Sequence, residues 1–126
     1  MNPGSGAFPK KFRLLRRVDF RLVYEEGQRR SASVCTVFIR PNGLAETRLG
    51  ITVPVRVGGA VLRNRIKRRV REVFRQNRMR LAGGWDIVVN PRKNAATIAY
   101  PALEKQMLRL FPVPSHGASS GEERAR

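Results

Sequence analysis

Arg63, Asn64, Arg65, Lys67, Arg68 and Arg71 stand within nine consecutive residues of this chain. Their shared chemistry is phosphate binding. A guanidinium meets phosphate through two parallel N–H donors, an ammonium adds a compact charge, and an asparagine side chain offers a donor and an acceptor. From Arg63 to Arg80 there are eighteen residues, nine of them Lys or Arg and one, Glu72, acidic. Solvated helix faces normally mix the two signs, so a run this one-sided points to a polyanion.

Chemistry that needs carboxylates is harder to place. Between residues 10 and 111 the acidic residues are Asp19, Glu25, Glu26, Glu46, Glu72, Asp86 and Glu104. No spacing among them gathers a pair around metal ions, as a protein-only nuclease requires. Glu25 and Glu26 are adjacent, so on a helix they diverge. Asp86 opens a strand, where capping or ion pairing is expected. His116 falls in a tail and is not a candidate catalyst. The single cysteine, Cys35, excludes an internal disulfide and a cysteine metal cluster, and reads as a small core residue. No catalytic or metal-binding constellation is expected on this chain.

The basic residues need a helix to present them. At 100° per residue, Leu62, Ile66, Val70, Val73 and Phe74 share one arc of about 120°, while Lys67, Arg68, Arg71, Arg75 and Arg78 fall opposite, together with Asn64. Burying the apolar arc contributes on the order of 10 kcal/mol before entropy is subtracted, against a few tenths of a kcal/mol for each like-charge pair at i, i+4. Packing wins, and the charged face is left to solvent. Gly58 and Gly59 precede the helix, predicted over about 60–80, and "AGG" ends it. The free N–H groups of its first turn form an anion site beside Arg63, Asn64 and Arg65.

The rest of the chain supplies the platform. The segment 16–27 reads as a short helix closed by Gly27, with Phe20, Val23 and Tyr24 on one face. A short extended piece is expected near 28–31. "SVCTVFIR" reads as a strand with Cys35, Val37 and Ile39 on one side and Val34, Thr36 and Phe38 on the other. "TRLGITV" follows, with Leu49, Ile51 and Val53 facing one way and Arg48, Gly50 and Thr52 the other. "WDIVVN" is a further strand, expected to stop before Pro91, with Trp85 packing at the sheet edge. The last helix begins near Pro101, its apolar side formed by Leu103, Met107, Leu110 and Phe111. Each of the two earlier strands thus has an aliphatic face suited to a core. Its other face, with polar atoms, a glycine or an aromatic, suits binding. The order α-β-β-β-α-β-α predicts one α+β domain built on a small mixed sheet.

Composition sets the outer limits. The chain has 126 residues, enough for one modest core, and a formal net charge of +17. Residues 1–9 are rich in Gly and Pro, and 112–126 have almost no large apolar side chains. The folded part is therefore expected at 10–111, between a flexible N-terminus and a disordered tail. Nucleic acid is the first candidate partner and an anionic membrane surface the second. No apolar run is long enough to span a bilayer, and the N-terminal residues do not read as a secretion signal, so a cytoplasmic protein is expected.

The stretch "GITVPVRVGGAVLRNRIKRRVREVF", residues 50–74, resembles the bacterial ribonuclease P protein subunit. That family carries an Arg-Asn-Arg motif inside A-V-x-R-N-R-x-K-R, and this chain has Ala60, Val61, Arg63, Asn64, Arg65, Lys67 and Arg68 in those places. "DFRLVYEEG" resembles the family's first helix, and "DIVVNPRK" the strand and basic turn after the motif helix. The likeness covers about residues 11–111. It implies a left-handed crossover between parallel strands, which the usual right-handed rule would not suggest. It also implies a protein that partners a large catalytic RNA and supports Mg2+-dependent endonucleolytic removal of the 5′ leader from precursor tRNA, the catalytic ions being held mainly by the RNA.

Carried onto this chain, the resemblance assigns Arg63, Asn64 and Arg65 to the catalytic RNA, with Lys67, Arg68 and Arg71 in support. It assigns a leader cleft to Phe20, Tyr24 and Phe38, flanked by Arg56, Arg92 and Lys93. Where the family often has Ser-Lys-Lys this chain has Pro54, Val55 and Arg56. Gly59 stands where Asn is common, and Cys35 where an aromatic is. Two other classes remain open. One is a structural RNA-binding protein of ribosomal type, using the same helix without a leader cleft. The other is a basic DNA-binding protein, for which there is no helix-turn-helix spacing and no dimer signal.

Overall fold

A computed structural model describes residues 9–112. The expectations for 1–8 and 113–126, His116 included, lie outside the described residues. The elements follow the predicted order: α1 (Arg17–Glu26), β1 (Gln28–Ser31), β2 (Cys35–Pro41), β3 (Arg48–Ile51), α2 (Ala60–Asn77), β4 (Trp85–Pro91) and α3 (Tyr100–Leu110). The fold is α+β on one four-stranded mixed sheet of order β1-β2-β4-β3. β4 runs antiparallel to β2 and parallel to β3.

The aliphatic side of the sheet carries the main core. Cys35, Val37, Ile39, Leu49, Ile87 and Val89 meet Ile66, Val70, Val73 and Phe74 of α2, and Leu103, Met107 and Leu110 of α3. Four of the five residues in α2's predicted arc are buried, and Leu62 is partly so. The other side carries a smaller cluster, Leu14, Val23 and Val88, against which Phe20, Tyr24 and Phe38 pack. Of the described α-helices, α1 packs on that side, and Leu14 ahead of it joins the same cluster. Among the described residues, no helix is long and apolar enough to cross a membrane.

Several local expectations change. Gly27 closes α1 with φ −80° and ψ 159°, extended rather than left-handed. Glycine is needed there for space, because a Cβ would run into the backbone carbonyls of Val23 and Ile39. Val34 lies in the main core, not on the Phe38 side, because β2 begins only at Cys35 and strand alternation does not reach it. β4 continues through Pro91, paired with Cys35. The long helix is α-helical to Asn77 and finishes as a 3-10 turn, Arg78–Arg80. There the buried Asn77 amide bonds Val73 O and Glu104 Oε2, both at 2.8 Å, tying α2 to α3.

Cys35 is 1% exposed. Burial pushes its thiol from 9.0 up to about 11, against a smaller opposing pull from the charge of Arg92. A thiol raised in the folded state stabilises the protein fully below the unfolded value and loses that contribution as pH rises through the folded one. Stability should therefore fall between pH 9.0 and about 11 more steeply than in Cys35→Ala, as urea melts at each pH would show. The native thiol should also resist alkylation at pH ~8. Rapid stoichiometric labelling of the folded chain would contradict the burial.

Candidate nucleic-acid interface

The outer face of α2 is basic, as its sequence pattern requires. Asn64, Arg65, Arg68 and Arg71 are exposed, and Arg63 and Lys67 are half-buried. Among the described residues, none of the six has an ion-pair partner. The one acid on the helix, Glu72, is held by Arg75 at 2.6 Å and by Gln76 at 2.5 Å. Burial, and then the neighbouring charge of Arg13, hold Arg71 below its ordinary value. The helix starts at Gly59 with no side-chain cap, so the N–H groups of its first turn have no capping side chain just ahead of Asn64. Arg78 stacks over the Phe12 ring at 4.2 Å, extending the basic surface toward the N-terminal segment.

A second feature opens on the other side of the sheet, a cleft of about 580 Å³. Four cations line it: Arg29, Arg56, Arg92 and Lys93. Thr36, Thr52 and Asn90 supply polar atoms, and Phe38 supplies a ring. Strand register makes the floor, since Thr36 pairs with Asn90, Phe38 with Val88, and Arg29 with Phe38. The strand side chains among these come from the non-aliphatic face, and Arg56, Arg92 and Lys93 from the turns beside it. No carboxylate is among the lining residues.

Of the six predicted cleft residues, Phe38, Arg56, Arg92 and Lys93 are brought together here. Tyr24 stands behind the wall. Its hydroxyl bonds Thr52 Oγ1 at 3.0 Å and Asn90 Oδ1 at 2.9 Å, and its ring meets Phe38 edge-on at 4.9 Å. Phe20 does not line the cleft. Its ring packs over Gly50, where a Cβ would come within 2.6 Å of it. Arg92 is partly committed to the wall, bonding Ala32 O at 2.5 Å and Thr36 Oγ1 at 3.2 Å. Val55 turns away, 76% exposed, while Pro54 and Arg56 face inward. Arg29, Thr36, Thr52 and Asn90 were not singled out from the sequence as site residues. Alternation had nonetheless put Thr36 and Thr52 on the binding face.

The acidic residues hold structure instead. Asp86 receives Arg48 Nε at 2.9 Å and Nη2 at 2.8 Å, as well as Asn42 Nδ2 at 2.9 Å. Asp19 receives Arg16 at 3.2 Å, and Glu26 receives Arg40 at 3.0 Å. Among the described residues, no three His, Cys, Asp or Glu side chains group as a metal site. The arrangement offers a ring, hydroxyls and amide for bases, and cations for a backbone, as single-stranded nucleic acid requires.

Known proteins share this frame. The profile of the Ribonuclease P family matches residues 8–113. A ribonuclease P protein component from Desulfosudis oleivorans is 41% identical over 105 residues, covering 83% of this chain and 87% of its own. The solved RNase P protein of Thermotoga maritima superposes with a TM-score of 0.73 at 38% identity, covering 79% of this chain and 94% of that one. The Staphylococcus aureus RNase P protein gives 0.70 at 29% identity, covering 78% and 90%. With the motif helix, the mixed sheet and nearly the whole described chain matched in this way, the chain belongs to the ribonuclease P protein family.

Proposed function

We propose that this chain is the protein subunit of a ribonuclease P ribonucleoprotein that removes the 5′ leader of precursor tRNA. The outer face of α2, with Arg63, Asn64, Arg65, Lys67, Arg68 and Arg71, takes the backbone of the catalytic RNA. The cleft takes the single-stranded leader. Phe38 stacks on a base, while Arg29, Arg56, Arg92 and Lys93 balance the phosphates. Tyr24 acts from behind, fixing Phe38, Thr52 and Asn90 in place. Phe20 supports the α1 packing and is not assigned a base contact.

The observation that carries this reading is the cleft itself, a ring among four cations with no lining carboxylate. A structural RNA binder of ribosomal type needs the basic helix but not this second surface. The same donor set does not suit Mg2+, which takes oxygen ligands, commonly carboxylates with retained waters. Several of the described carboxylates already serve arginines. Hydrolysis by water 5′ of the mature tRNA is therefore assigned to Mg2+ on the RNA. The contribution of this chain is to bind and orient the leader.

The test mixes the chain with a bacterial ribonuclease P RNA and a precursor tRNA at low magnesium, and follows leader release. Stimulation over RNA alone is expected, and its absence would sink the reading. In the same assembly Phe38→Ala should weaken binding of leader-bearing precursor by about tenfold, one lost stacking contact of ~1–2 kcal/mol, and leave mature tRNA unchanged. Equal losses for both would mean a fold defect rather than a lost base contact.

A further inference from the structure

Three arginines of α2 donate to backbone carbonyls outside the helix. Arg63 Nε reaches Gly58 O at 3.0 Å, and Arg65 Nε reaches Ala96 O at 2.9 Å. Arg69 spreads its fork, with Nη1 to Ala95 O at 2.7 Å and Nη2 to Ile98 O at 2.5 Å. These carbonyls belong to the two segments that carry cleft cations. Gly58 follows the 3-10 turn Val55–Val57, which contains Arg56. Ala95 and Ala96 end the 3-10 turn Lys93–Ala96, which begins at Lys93 and has Arg92 as its N-cap. The motif helix therefore grips both cationic walls of the cleft, although it packs on the opposite side of the sheet.

We infer that Arg69, assisted by Arg65, is a positioning residue that sets where Arg92 and Lys93 stand relative to Phe38. The inference rests on the reading of the cleft as the leader site. The turn is pinned at its start by Arg92 to Ala32 O and by Asn94 to Ser33 O. Its far end is held by the arginine fork, and Ala95 and Ala96 are buried beneath it. A charged planar donor bonding two carbonyls fixes both distance and direction. A lysine ammonium keeps the charge but lacks the planar fork that holds Ala95 O and Ile98 O together. Arg69 is thus distinct from Arg68 and Arg71, whose role is phosphate contact.

The test uses holoenzyme assembled with a bacterial ribonuclease P RNA, comparing leader-bearing precursor with mature tRNA. Arg69→Ala should lower the preference for precursor roughly five- to twentyfold, the lower part of the range of coupling between linked sites. The dependence of log affinity for the catalytic RNA on log salt should keep its slope, because Arg69 itself makes no phosphate contact there. Arg69→Lys should show the same loss. Amide exchange gives a readout independent of RNA. The Thr97 and Ile98 N–H groups bond Asn94 O at 3.2 and 3.0 Å and should exchange faster in both variants, while β4 stays protected. A preference retained in Arg69→Ala, rescue by Arg69→Lys, a slope for binding the catalytic RNA flattened by about one unit, or uniformly faster exchange would each overturn the inference. Wild-type holoenzyme with no preference for precursor would instead sink the leader reading, and the inference with it.

Discussion

A chain carrying Lys67→Ala, Arg68→Ala and Arg71→Ala together should bind ribonuclease P RNA about a hundredfold more weakly at ~0.15 M salt. Each phosphate contact contributes about 0.9 to the slope of log affinity against log salt, so the slope should flatten by about three units, and the two chains should converge near 1 M. The three side chains lie off the buried arc of Ile66, Val70, Val73 and Phe74, and among the described residues none has an ion-pair partner. Alanine is the best helix former, and the change removes the repulsion between Lys67 and Arg71 at i, i+4. The variant should therefore melt no lower than the wild type, which separates binding from folding. Parallel salt plots, measured by filter binding, would show that this face does not meet the RNA backbone.

Asp86→Ala is expected to cost about 3–5 kcal/mol of stability, a large share of the ~5–15 kcal/mol typical of a domain. Asp86 is 2% exposed and receives Arg48 through two donors as well as the Asn42 amide. Its hydrogen bond raises Arg48 above its ordinary value, with the charges of Asp86 and then Asp19 adding to that. Removing the carboxylate strands a partly buried guanidinium at the β3–β4 register and removes the tie from the Asn42 amide to β4. Arg48→Met combined with Asp86→Ala should cost less than Asp86→Ala alone, because no uncompensated charge remains. Urea titration of the three variants checks both statements. A cost under ~1 kcal/mol would mean that water already reaches the pair.

Much of this was legible in the chain because the signals were periodic. The arc of α2 and the two faces of β2 and β3 follow from spacing alone, and they separate Phe38 from the main core. Contacts set by register were less visible. Arg29 and Asn90 enter the cleft only because β1 and β4 lie on either side of β2, a neighbour relation that local patterning does not contain. Phe20 and Tyr24 share a helix face, yet Phe20 lands on Gly50 while Tyr24 reaches Thr52 and Asn90. The difference is decided by which strand residue lies beneath each ring. Arg68 and Arg69 are adjacent and chemically identical. One is exposed and the other bonds two carbonyls, which depends on where the 93–96 turn sits after β4.

The strand order also sets a timetable for biosynthesis. β2 and β3 are not paired with each other, and both bond to β4. On a ribosome the chain emerges N-terminus first at ~5–20 residues/s. The motif helix is thus complete some eight residues before the strand that joins its platform begins at Trp85. Until β4 arrives, β3 has no sheet partner, and the cleft lacks Asn90, Arg92 and Lys93. A nascent chain that has emerged only as far as the 78–84 link would expose a strongly cationic helix with no cleft to accompany it. If the cleft is the leader site, affinity for a polyanion would precede selectivity for a leader during synthesis.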